Sequence, residues 1–161
     1  MRRRLLPLAL AAMLAAAAPA AAGQPEPQSL PTEPVVVLTH KGAVTFTAEV
    51  ADDHAERAIG LMFRTDLAPH RGMLFDYKEP QAAFMWMKNT LIPLDMLFIA
   101  PDGVILHVER NAQPGDLTAR GTQKKVRGVL ELPAGTAEEL GIVPGMIVQH
   151  RIFGNPPPRG G

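Results

Sequence analysis

Phe84-Met85-Trp86-Met87-Lys88-Asn89-Thr90-Leu91-Ile92-Pro93-Leu94-Asp95-Met96-Leu97-Phe98-Ile99 is the stretch whose reading decides the fold. Two apolar runs flank a polar elbow, Lys88-Asn89-Thr90, and the first run holds the only tryptophan of the chain. Strand side chains alternate between faces. Phe84, Trp86 and Lys88 then share one face, and Met85, Met87 and Asn89 the other. In the second run Leu94, Met96 and Phe98 lie opposite Asp95, Leu97 and Ile99. Both faces of both runs are apolar, so the sequence predicts two central strands covered on both sides. Pro93 has no N–H for a ladder bond and belongs in the connection. Asp95 stands where an apolar core begins, and a buried carboxylate must find donors.

Outward from this block, short apolar runs alternate with turn signals. Val35–Leu38 and Val44–Val50 form a hairpin about His40-Lys41-Gly42. Met73–Phe75 is a strand, and Asp76–Pro80 leads out of it. Pro101-Asp102-Gly103 turns the chain between Leu94–Ala100 and Val104–Arg110. Asn111–Lys125 is polar, contains Pro114, Gly115 and Gly121, and reads as a long surface loop. Val126–Leu132 and Met146–Phe153 complete the strands. Asp53 with Glu56 is a capping-box helix start. Ala55, Ala58, Ile59 and Met62 follow as the apolar stripe, with Arg57, Gly60 and Arg64 opposite. Thr136 with Glu139 starts a one-turn helix that Gly141 stops. The prediction is an all-β (β-rich α+β) fold. It is a compact barrel or sandwich of about 7–8 short strands, one amphipathic helix and one short helix.

Arg2-Arg3-Arg4, the apolar stretch Leu5–Ala18 and Ala20-Ala21-Ala22 have the order of a secretory signal peptide over residues 1–22. Residues 23–34, with Pro25, Pro27, Pro31 and Pro34, read as a linker, 35–154 as one domain and 155–161 as a Pro/Gly tail. The expected location is the periplasm or outside the cell, with no stable membrane insertion after cleavage. Cleavage leaves 139 residues with thirteen basic and sixteen acidic side chains, a formal charge of −3. That balance argues against a nucleic-acid partner, which calls for a basic face.

The available chemistry is narrow. The chain has no cysteine, and its only serine, Ser29, lies in the linker. Triads built on Ser or Cys and thiolate zinc sites are thereby excluded. His40, His54, His70, His107 and His150 show no paired ligand spacing, no standard phosphate loop occurs, and no metal or cofactor is expected. Asp95 and Glu131 each sit in apolar strand sequence and are the candidate acid–base pair of an enzyme. Arg57 and Arg64 offer forks suited to carboxylate or phosphate.

Glu56-Arg57-x-x-Gly60-Leu61-Met62-x-Arg64, Gly72-Met73-Leu74-Phe75, Trp86-Met87-Lys88-Asn89-Thr90-x-x-Pro93-Leu94-Asp95 and Val129-Leu130-Glu131-Leu132-x-x-Gly135 stand in this order along the chain. Over residues 36–153 this set resembles the family known as domain of unknown function 192. The resemblance implies a compact β barrel or sandwich with short helices and places the arginine stripe, the elbow and both acids at motif positions. It implies no reaction. The expected site lies where helix 54–64 crosses the sheet near the elbow. Gly60 would allow close approach, and Arg57 and Arg64 would flank the gap. Trp86 would floor it beside Lys88, Asn89 and Thr90, with Asp95 or Glu131 orienting one arginine. The expected function is binding of a small polar or anionic ligand. The alternatives are a carboxylate acid–base enzyme and a structural or protein-interaction module of the cell envelope. A closed ion-pair network tying helix to sheet is the competing reading of the same residues.

Overall fold

A computed structural model describes residues 26–157; the predicted signal peptide, residues 23–25 of the linker and the end of the tail lie outside the described residues. The elements are β1 (Thr32–Thr39), β2 (Gly42–Ala51), α1 (His54–Ile59), β3 (Arg71–Met85), β4 (Leu94–Ile99), β5 (Ile105–Ala112), β6 (Arg120–Pro133), α2 (Thr136–Glu139) and β7 (Ile147–Gln149), followed by a single 3₁₀ turn over Arg151–Phe153. The seven strands form one sheet in the order β5-β4-β6-β3-β2-β1-β7. It curls into a half-barrel with two short helices, an all-β fold. The two edges meet where Val104 bridges Ile147. There the Val148 N–H donates to the Gly103 carbonyl at 2.8 Å.

The hairpins β1–β2 and β4–β5 follow the turn signals of the sequence. β2 and β3 pair in parallel, which a tight turn cannot achieve. Residues 52–70 make the crossover and carry α1 onto the sheet. All seven strands contribute to the core inside the curl, through side chains such as Val35, Phe46, Leu74, Leu97 and Leu130, with Ala137 and Phe153 closing it. A second core lies on the outer face of the central strands. Met73, Phe75, Met96, Phe98 and Val129 pack there beneath Leu61 and Met87. β4 is therefore buried at every position.

Several local expectations change. Only the second run of the opening stretch is a covered central strand. Phe84 and Trp86 remain 47 % and 51 % exposed, and the chain leaves the sheet after Met85. β3 continues past Phe75 through irregular pairing between Asp76 and Ala83, because β6 begins at Arg120 and supplies a partner. The polar segment 111–125 is thus half strand and not a single loop. β1 begins at Thr32, inside the predicted linker. The preceding residues are also held, since the Gln28 side chain donates to the Glu56 and Gly60 carbonyls at 2.8 and 2.9 Å.

The helices are capped differently from each other. Asp53 and Glu56 form the expected capping box of α1. The helix ends at Ile59, however, because Gly60 takes φ +53° and turns the chain. α2 has no cap from a side chain of its own segment; Thr136 Oγ1 bonds the Pro133 carbonyl instead. Its Ala137 N–H is taken by Asp95, from the neighbouring part of the sheet.

Candidate functional site

Glu131 lies near the end of β6, paired with Met73 of β3 on one side and Met96 of β4 on the other. Alternation with Leu130 and Leu132, which point into the curl, sends its side chain to the outer face with Val129. It is 4 % exposed. Its carboxyl has no hydrogen-bond or ion-pair partner among the described residues. Burial pushes its pKa up to about 8, so the group carries its proton at neutral pH.

Above this carboxyl is a narrow cleft of about 40 Å³, walled by Arg57, residues 58–62, Phe75, Met85, Trp86 and Thr90. The wall explains a feature of α1 that the core does not use. None of the residues of α1 is buried. Of the predicted apolar stripe, Ala58, Ile59 and Met62 line the cleft instead of the core, whereas Ala55 is exposed outside it. Gly60 makes the approach possible, because a Cβ at this position would stand 2.9 Å from the Phe75 ring. The positive φ there favours glycine as well.

Arg57 forms part of the wall. Its Nη1 donates to the Asp76 carbonyl at 2.9 Å, and its guanidinium carbon lies 6.0 Å from the centre of the Tyr77 ring. No carboxylate pairs with it among the described residues, which leaves further N–H groups unengaged. The Tyr77 hydroxyl donates to Met85 Sδ at 3.2 Å. Burial, with the Glu131 charge adding to it, pushes the tyrosine pKa up to about 12 while Arg57 opposes the shift. Trp86 stands at the rim with Lys88 Nζ 5.2 Å above its ring. A shallower groove continues past Arg57, Ala58, Met85 and Trp86 toward His54, Gln81 and Phe84.

The other predicted site residues are placed elsewhere. Arg64 lies beyond the helix and meets the Glu49 carboxylate at 2.7 Å and the Gln28 carbonyl at 2.7 Å. Glu49 also accepts the Leu30 N–H at 2.8 Å, so Arg64 ties the start of the chain to β2. Asp95 faces the opposite side of the sheet from Glu131, at the mouth of the curl. Its two oxygens accept the Asn111 and Ala137 N–H groups, each at 2.8 Å. A mechanism that sets both acids about one bond has no geometry here. Neither acid orients an arginine; Glu49 and the Asp76 carbonyl do. Asn89 is exposed with φ +54°, and its carbonyl takes the Phe63 N–H at 2.9 Å, stitching the elbow to the turn after α1. Lys88 is exposed outside the cleft, whereas Thr90 is buried in its wall.

Arg57, Trp86, Thr90 and Glu131 therefore converge. Tyr77, Phe75, Met62 and Met85 join them without having been singled out as site residues. Tyr77 is the only tyrosine of the chain, but its position depends on the irregular β3–β6 pairing, which no local pattern announces. Among the described residues no cluster of His, Asp and Glu could hold a metal ion.

The model of the family domain of unknown function 192, described as an uncharacterised ACR, matches residues 36–150. Two solved structures are similar. One is a crystal structure from Sinorhizobium meliloti 1021, described as a candidate transcription regulator, at 43% identity and TM-score 0.74, with 78% of this chain and 98% of that chain covered. The other is a protein of unknown function from Novosphingobium aromaticivorans DSM 12444, at 39% identity and TM-score 0.74, with 80% of this chain and 94% of that one covered. No curated protein matches.

Proposed function

The chain belongs to the family of domain of unknown function 192, and we propose that it binds a small polar or anionic molecule in the cleft between α1 and the outer face of β3 and β6. One observation carries this reading: a buried carboxyl without a partner among the described residues forms the floor of an open cleft whose wall holds a guanidinium that no described carboxylate meets. Buried polar groups are nearly always bonded, and those that are not call for an explanation. A ligand that accepts from both groups supplies the missing partner.

The carboxylate enzyme is the second reading, and it rests on Glu131 alone. A proton held near neutral pH suits a general acid. The cleft offers no second titrating group in that range, so binding is favoured. The regulator description belongs to the Sinorhizobium protein. In this chain α1 and α2 have six and four residues, too short to lie along a major groove as a recognition helix does.

The test is a thermal-shift screen of small acids, amides and sugars on the wild type and Arg57→Gln. A binder at a hundredfold excess over its Kd stabilises by about 2.7 kcal/mol. The expected result is at least one compound that raises the wild-type Tm and fails on the variant. A screen in which nothing shifts the wild type would refute the binding reading.

A further inference from the structure

We propose that the cleft takes a small monocarboxylate with a flat or branched apolar body, a deepening that rests on the binding reading above. Three observations select this class.

The first is charge. Arg57 is the one cation among the residues that line the cleft. Lys88 lies over the Trp86 ring and does not line the cleft, and Arg64 is neutralised by Glu49. One guanidinium balances one negative charge. A phosphate carries more, and is usually met by several cations or by a nest of backbone N–H groups. The start of α1 supplies no such nest, because Asp53 already caps it.

The second is the donor set. Arg57 has spare N–H groups beyond the one bonded to Asp76, and Glu131 in its neutral form has one O–H. A carboxylate has two oxygens and accepts from both kinds of donor. The groups that face Glu131 do not compete for its proton. α1 contributes Arg57, β3 contributes Tyr77, and β4 contributes only Leu94, Met96 and Phe98 on this face. Asp95 and its donors are on the other side of the sheet.

The third is the lining. Beside Arg57, Thr90 and Glu131 the wall is built from Phe75, Leu61, Met62, Met85 and the Trp86 ring, and the cleft, of about 40 Å³, continues into the groove past Met85 and Trp86. A sugar or an amino acid would leave polar groups unpaired against these side chains. A ring or branched chain fills them.

Trp86 is the only tryptophan and stands at the rim, so its fluorescence reports occupancy without a label. The experiment titrates benzoate, benzamide and inorganic phosphate into the wild type, Arg57→Gln and Glu131→Gln from pH 5.5 to 9.5. The expected result has four parts. Benzoate saturates the fluorescence change, whereas benzamide and phosphate do not. Arg57→Gln weakens benzoate by about tenfold or more. Wild-type affinity falls about tenfold per pH unit once Glu131 ionises. Glu131→Gln keeps a neutral donor and removes that fall. Saturation by phosphate in place of benzoate, or by benzamide as well as benzoate, overturns the class while the binding reading stands. Benzoate binding that survives Arg57→Gln, or a wild-type pH profile that is flat or rising, also overturns it. If no probe saturates, the monocarboxylate class is refuted, and the wider screen above decides the binding reading on its own.

Discussion

Asp95 and Glu131 are buried acids on adjacent strands, one residue apart in register: Asp95 pairs with Leu132, and Glu131 with Met96. Their surroundings differ completely. Asp95, with no exposed surface, receives an N–H from the last stretch of β5 and another from the first turn of α2. Glu131 faces methionine, phenylalanine and the cleft, with no donor among the described residues. Burial alone does not make a site. What separates the two is whether the chain brings backbone N–H groups to the carboxyl. Arg64 and Arg57 repeat the contrast. The first is paired with Glu49 and the second has no acid, although both come from one stripe of the sequence.

The sharpest break of this comparison is Asp95→Ala. It leaves the buried Ala137 N–H and the part-buried Asn111 N–H unbonded, and hydrogen bonds to a charged group contribute roughly 1.5–3 kcal/mol each. The expected loss is about 4 kcal/mol, read from the denaturant midpoint at unchanged m-value. A loss below about 1 kcal/mol would show that water replaces Asp95 and that the contrast with Glu131 is empty.

Glu131→Gln is expected to act in the opposite direction. The pKa of Glu131 is raised from 4.5 to about 8 in the folded chain. Between these values the unfolded chain releases a proton that the folded chain keeps. Wild-type stability is therefore full below pH 4.5 and falls as pH rises through that window, by a few kcal/mol. Gln cannot ionise, so the variant lacks this fall and exceeds the wild type near pH 8 by about 3 kcal/mol. Denaturation curves measured at pH 5 and pH 8.5 check the sign. Parallel pH dependence in the two proteins would mean that Glu131 is solvated after all.

The arginines give the smallest difference. Arg64→Ala removes two contacts at 2.7 Å and strands Glu49, with an expected cost of about 2 kcal/mol. Arg57→Ala loses one bond to a carbonyl and costs less than about 1 kcal/mol. Equal losses would place Arg57 in a structural network and weaken the case for the cleft.

Half of the opening stretch is legible as it stands. Leu94–Ile99 is apolar on both faces and is covered on both. Phe84 and Trp86 look the same in sequence, yet they stay about half exposed, because the chain leaves the sheet after Met85 and they border the cleft and groove beside α1. The stripe Ala58, Ile59 and Met62 is equally regular and serves the cleft wall, since periodicity marks an apolar face without saying what it faces. Glu131 stands out as an acid between leucines, and Arg57 as part of the helix stripe; their convergence does not, because it requires β6 and α1 to be stacked through a parallel β2–β3 crossover.

The amino-acid pattern alone was sufficient for the all-β class, the hairpins, the capped start of α1 and the family, since each depends on residues within one turn or one alternating run. Long-range placement settled the rest: which acid receives backbone donors, which arginine is neutralised, and that Met85 lines the cleft and Tyr77 the groove beside it. These outcomes depend on contacts between residues far apart in the chain, such as Asp95 with Ala137 and Arg57 with Asp76. No local preference encodes them, because the free energy of burying a charged group is set by the partners that the whole fold assembles around it.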